Sequence, residues 1–210
     1  MKIERIRPEE IERRSFEIIT DLLGEQQPPD ETAHIVKRVI HTTADLEYAE
    51  TLYFSENAAQ ILSQALAEGA HIVTDTQMAL SGINKKTLAA FGGQVHCFMA
   101  DEDVARQARE RGVTRACVSM EKAATLSVPL IFAIGNAPTA LLRLDELVRE
   151  GTVRPRLIIG VPVGFVNVVQ SKERIMNAGV PCIVAKGRKG GSNVAAAIVN
   201  AGLYRLTRAE

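Results

Sequence analysis

Leu130-Ile-Phe-Ala-Ile-Gly-Asn-Ala-Pro-Thr139 reads as a strand that runs straight into a helix. Five successive apolar residues offer no polar face, so a strand built from them must be covered on both sides. Gly135 and Asn136 turn the chain. Pro138 suits the first turn of a helix, where its missing N–H removes no hydrogen bond. The same pattern recurs to either side. Apolar runs at residues 72–74, 95–99, 157–160 and 182–185 each end in a polar or glycine-bearing turn, and helical patterns over 101–111, 137–150 and 192–206 separate them. Non-alternating strands separated by helices predict a parallel sheet with helices on both faces.

The first third of the chain is helical in pattern. Pro8 and Glu9 open a segment in which Ile11, Phe16, Ile18 and Ile19 stand among charged residues, and the stretch 26–30, with Pro28 and Pro29, ends it. Asp30 is the expected N-cap of a second helix, with Ile35, Val36, Val39 and Ile40 on its apolar face. Asp45 is the expected cap of a third, and Ser55 opens a fourth carrying Ala58, Ile61, Leu62 and Leu66. No low-complexity linker or fixed-period repeat divides the 210 residues. The expectation is one α/β domain over residues 1–210: three α/β/α layers, a mainly parallel sheet of about five strands, and a helical N-terminal region.

Composition narrows the partners. The 25 basic and 25 acidic residues cancel, which argues against a nucleic-acid protein held by a global positive field. The lack of Trp and an aromatic content of 4% argue against base-stacking platforms. No apolar run approaches the roughly 20 residues of a membrane-spanning helix. The charged start lacks the apolar stretch of a secretory signal, so a cytoplasmic protein is expected. Cys97, Cys117 and Cys182 lie far apart without metal-ligand spacing and read as reduced core residues.

In sheets of this kind ligands bind beyond the carboxyl ends of the strands. Those ends are Thr74-Asp-Thr76, Gly135-Asn-Ala-Pro-Thr139, Gly160-Val-Pro-Val-Gly-Phe165 and Lys186-Gly-Arg-Lys-Gly-Gly-Ser-Asn193. The last is the strongest anion-binding signal. Gly187, Gly190 and Gly191 allow close backbone approach, Ser192 can cap the Ala-rich helix that follows, and Arg188 and Lys189 add charge. Asn136 and Thr139 repeat that logic ahead of the helix that Pro138 starts. Both loops also fit plain turns with solvated side chains. Neither carries Gly-x-Gly-x-x-Gly or the Gly-Lys-Ser/Thr of a P-loop, and no Gly-x-Ser-x-Gly elbow is present.

His34 and His41 lie seven apart on one helix, two turns or roughly 10 Å, too far to share a metal ion. His71 opens one strand and His96 lies within another, so no protein-built metal site is expected. His41, in Val39-Ile-His-Thr-Thr-Ala-Asp45, closes the second helix. A helix C-terminus favours a cation by about 0.3–1 kcal/mol, and imidazoles as a class change charge near neutrality, as a general acid must. A satisfied helix-end histidine is the alternative.

Five segments together resemble the precorrin-8X methylmutase family: Arg38-Val-Ile-His-Thr-Thr-Ala-Asp45, Asp75-Thr-Gln-Met-Ala-Leu-Ser-Gly-Ile-Asn84, Gly135-Asn-Ala-Pro-Thr-Ala-Leu141, Gly160-Val-Pro-Val-Gly-Phe-Val166 and Gly187-Arg-Lys-Gly-Gly-Ser-Asn-Val-Ala-Ala-Ala-Ile-Val-Asn-Ala201. Within it they are most similar to the cobalt-precorrin-8 methylmutases of anaerobic cobalamin biosynthesis. The resemblance implies an isomerase that moves a methyl group from C11 to C12 of a corrin-type macrocycle, giving cobyrinate. His41 would be the general acid to a ring nitrogen. It implies no cofactor, with cobalt arriving only inside the substrate, and a homodimer with sites near the subunit interface. Ser15 and Arg14, in Arg13-Arg-Ser-Phe16, would meet the corrinoid, as would Asn84 and Arg115. Arg188, Lys189, Gly190, Ser192, Asn136 and Thr139 would face its carboxylate fringe. The chain departs from the family pattern at Ala116, where a small hydroxyl is common, and at Gln170, where a carboxylate is.

Three other readings fit the same residues less fully. One is a corrinoid-binding or handover protein without chemistry. Another is an enzyme acting on metal-free precorrin-8X to give hydrogenobyrinate. The third is a sugar-phosphate or nucleotide enzyme of similar architecture.

Overall fold

The computed structural model describes residues 6–207. The expected domain, residues 1–210, and the charged start of the chain therefore extend beyond the described residues. Within them the chain forms eleven α-helices and six strands. A helical stretch comes first, with α1 (Ile11–Leu23), α2 (Asp30–Thr43) and α3 (Tyr48–Thr51), followed by β1 (Leu52–Phe54) and α4 (Ala58–Ala67). The next part holds β2 (His71–Thr74), α5 (Gln77–Gly82), α6 (Lys85–Ala90), β3 (Val95–His96), α7 (Glu102–Arg111) and α8 (Arg115–Ala123). Strand–helix alternation completes the chain with β4 (Leu130–Ile134), α9 (Pro138–Arg149), β5 (Leu157–Gly160), α10 (Val168–Met176), β6 (Cys182–Ala185) and α11 (Ser192–Thr207).

The strands form one sheet in the order β1-β6-β5-β4-β2-β3. All neighbours are parallel except β1, which runs antiparallel to β6 with Leu52 opposite Ala185. Alternate residues of each strand feed two apolar cores. Ile131, Ala133, Ile159 and Ile183 pack against α2, α4 and α11, while Phe132, Ile134, Ile158 and Val184 pack against α8, α9 and α10. The central strands are buried on both faces, which is why they read as unbroken apolar runs. Helix α11 is apolar almost all round because it lies between the sheet and α2, and α1 in turn packs on α2. From β2 the chain moves to β3 on one side and then to β4 on the other, so the connections diverge between β2 and β4. In open α/β sheets a ligand crevice lies at such a switch point.

The expected three-layer α/β/α fold with its five parallel strands is what forms. The strand expected at 95–99 is shorter than its apolar run. Only Val95 and His96 pair with β2, and the chain then tightens into a 3-10 turn, Phe98–Ala100, that sends Phe98 against Val104, Ala108 and Val118. Strand β1 carried no signal of its own, being three residues long and continuous with a helical turn. The expected caps also differ. Pro29, whose carbonyl accepts from the N–H groups of Thr32 and Ala33, precedes α2, and Asp30 is its first residue. Glu47 precedes α3 and Asn57 precedes α4. The Ser55 hydroxyl accepts from the Cys182 N–H at 2.9 Å, which clips the approach to α4 onto β6.

Candidate active site

Helix α2 ends one turn beyond the last residue of its apolar stripe. Ala44 adopts the left-handed conformation, φ 54°, and its N–H closes the helix on the Ile40 carbonyl at 2.7 Å. This stop leaves His41 exposed in the last turn. The imidazole and the Phe16 ring form a T-shaped pair, with centroids 5.6 Å apart and planes at 85°. Phe16 is held in turn by Arg38, whose guanidinium lies 4.8 Å from that ring, 5.0 Å from the Tyr204 ring, and 2.6 Å from Glu12. His41 and Ser15 line one open cavity of about 300 Å³, whose remaining walls are Ile18, Ile19, Leu22, Ile40, Ala44 and Leu46. An imidazole and a hydroxyl thus stand on an apolar floor, an arrangement that suits a broad apolar ligand. Arg14, next to Ser15, is half-buried and donates to Glu17 at 3.3 Å.

The loop from β6 to α11 reaches the same end of α2. Lys189 donates to Asp45 at 2.6 Å and also pairs with Glu47. Its ammonium holds the Asp45 carboxyl below the ordinary value, and the two carboxylates hold Lys189 above its own. The cation expected to meet a ligand is therefore already paired with two carboxylates of the protein, and any anionic ligand would compete with them. Arg188 is exposed, donates to the Phe165 carbonyl at 3.0 Å and lies 5.7 Å from the Phe165 ring. Phe165 itself is 81% exposed and Val166 78%, an apolar lip beside the cationic one. Gly190 is required by close approach, because a Cβ there would stand 2.1 Å from the Val161 carbonyl oxygen. Ser192 does not act as a cap. It is the first residue of α11, is buried, and shares a 2.7 Å hydrogen bond with Thr76.

Asn136 and Thr139 depart further from expectation. The N–H groups ahead of α9 are taken by the protein's own anion. Asp75, buried at the end of β2, accepts from Gly135 at 2.9 Å, Asn136 at 2.8 Å and Ala137 at 2.5 Å. Burial pushes its carboxyl up, against the pull of these three donors. Asp75 therefore bridges the crevice between β2 and β4 and occupies the N–H groups of Gly135, Asn136 and Ala137. The Asn136 side chain stays exposed on the rim. Thr139 shares a 2.9 Å hydrogen bond with Thr114, the residue that caps α8, so it stands beside exposed Arg115 and not on the His41 cavity. Asn84 is used structurally: its side chain caps α6 through the Thr87 N–H, and its own N–H is held by Asn200.

The candidates thus fall into groups. His41 and Ser15 share a cavity, Lys189 joins its rim through Asp45 and Glu47, Arg188 and Gly190 lie on the same loop as Lys189, and Ser192 begins the helix that follows it. Arg115 and Thr139 form a separate cluster, and Asn84 is a cap. Sequence reasoning missed Asp75, Arg38 and the acidic pair on Lys189. Only the position of Asp75 at a strand end was a signal for any of them. Among the described residues no group of three metal-ligating side chains occurs, and no helix is long and apolar enough to cross a membrane.

The profile of the precorrin-8X methylmutase family matches residues 10–205. The cobalt-precorrin-8 methylmutase of Salmonella typhimurium is 47% identical over 208 residues, covering 96% of this chain and 97% of its own. The precorrin-8X methylmutase of Pseudomonas aeruginosa is 38% identical over 193 residues, covering 91% and 92%. A solved structure of precorrin-8X methylmutase from Thermus thermophilus superposes with a TM-score of 0.86 at 39% identity, covering 94% of this chain and 95% of that one. A match of this length, reaching from α1 to α11 on the same fold, shows that the chain belongs to the precorrin-8X methylmutase family.

Proposed function

We propose that this protein is an isomerase of cobalamin biosynthesis that converts cobalt-precorrin-8 to cobyrinate by moving a methyl group from C11 to C12. One bond to the methyl carbon breaks and one forms within the same molecule, so atoms and electrons balance without a co-reactant and no cofactor is required. Cobalt belongs to the substrate. The observation that carries the mechanism is the exposed His41 imidazole on an apolar cavity floor next to the Ser15 hydroxyl. In this role His41 donates its proton, or a hydrogen bond, to a ring nitrogen. That draws electrons from the conjugated system, lowers the barrier to migration, and returns the proton to His41 afterwards. General acid assistance of this kind contributes about 10²–10⁴-fold. Arg188, the Lys189 rim and the outlying Arg115 serve the acetate and propionate fringe, and the exposed Leu22 and Phe165 offer the macrocycle an apolar border.

Mixing the protein with cobalt-precorrin-8 should change the corrin absorption spectrum with nothing else added. His41→Ala should lower turnover by roughly 10²–10⁴-fold while the corrinoid product still binds. Unaltered turnover in that variant would remove His41 from the chemistry. The nearer of the two named relatives above carries the cobalt form in its name, so the cobalt substrate should be turned over faster than metal-free precorrin-8X. The functional unit is a homodimer, consistent with apolar side chains such as Ile11 and Leu22 left exposed on α1. Its expected mark is a thermal midpoint that rises with protein concentration.

A further inference from the structure

Lys172 is a buried cation beneath the rim that the chemistry above does not use. It sits in α10 and is 1% exposed. Its ammonium donates to the Gly187 carbonyl at 2.9 Å and the Lys189 carbonyl at 2.8 Å. Between them the Arg188 carbonyl accepts from the Gly164 N–H at 3.2 Å. Three successive carbonyls of the β6–α11 loop are thus tied to donors of the protein. Among the described residues no carboxylate pairs with Lys172, and burial alone pushes its pKa down to about 8. Burying an ammonium without a counter-ion is costly unless other groups satisfy it. An apolar side chain would fill the same space without that cost.

The carbonyls themselves supply a reason for the cation. A carbonyl oxygen carries partial negative charge, and a loop that greets carboxylates must turn such oxygens away while presenting its cations. We propose that Lys172 is a positioning residue for the substrate: it draws the Gly187 and Lys189 carbonyls inward and so fixes the loop conformation in which Arg188 and Lys189 meet the carboxylates of the corrinoid fringe. This role rests on the methylmutase reading. Lys172 acts only through the loop and touches no reacting atom. Its loss therefore weakens binding and leaves the methyl transfer itself largely intact.

The test uses the full chain. Turnover by the wild type, and its loss in His41→Ala, are measured first. Lys172→Met should then raise KM for cobalt-precorrin-8 roughly tenfold, the effect of losing charge-assisted hydrogen bonds, with kcat changed by less than about threefold. Lys172→Gln, which keeps an N–H donor but no charge, should fall between that variant and the wild type. In an Arg188→Ala/Lys189→Ala background, Lys172→Met should add less than about twofold, because the side chains through which it acts are gone. If Lys172→Met does not fold, the same comparison is made with Lys172→Gln. A folded variant with wild-type KM would refute the role, as would a Lys172→Met penalty that multiplies in full on the double variant. A wild type that never turns over would sink the methylmutase reading and this role with it, an outcome distinct from normal turnover with an unmoved KM.

Discussion

Asp75 carries two tasks with one carboxylate. It satisfies the three N–H groups at Gly135, Asn136 and Ala137, and it joins the connections after β2 and β4 across the switch point of the sheet. Asp75→Asn keeps the size of the side chain but turns an acceptor into a donor that faces N–H groups. At least one buried donor is then left unsatisfied, at a cost of about 3 kcal/mol. Urea unfolding of the variant should show that loss as a lower midpoint with an unchanged slope. The sequence placed Asp75 at the end of a strand, where sites form. It said nothing of the partners, which lie sixty residues later and meet it only after the sheet has assembled. The same applies to Lys189, whose acidic partners Asp45 and Glu47 stand at the far end of the chain from it.

At the scale of elements, α2 shows what a helix end does for chemistry. Its apolar stripe of Ile35, Val36, Val39 and Ile40 anchors it on α11, so the residue after that stripe, His41, points away from the core. The stripe and the helix it forms were readable from spacing alone. The stop was not, because Ala44 has no intrinsic preference for the left-handed conformation that ends the helix. Ala44→Gly removes that penalty and should raise stability by about 1 kcal/mol, seen as a higher thermal midpoint with turnover preserved. A lower midpoint would mean that the methyl group of Ala44 contributes more as part of the cavity wall than its backbone costs.

Across the whole molecule, the two apolar cores are the two faces of one sheet, so neither can come apart and leave the other intact. Calorimetric unfolding should therefore give a single transition; two resolved transitions would divide the chain into separate domains. What the sequence by itself determined was the class of fold and the identity of the strands that cross the core. Burial on both faces demands uninterrupted apolar runs, and Leu130–Ile134 and Cys182–Ala185 satisfy that demand locally. It also brought His41 to a helix end, since periodicity and chain direction are local properties. Tertiary structure alone decided which cations are already paired, that an internal carboxylate takes three N–H groups of one of the two expected anion loops, and that a lysine on α10 holds carbonyls of the other. Those outcomes depend on charges meeting across large sequence separations, and such meetings leave no periodic trace in the chain.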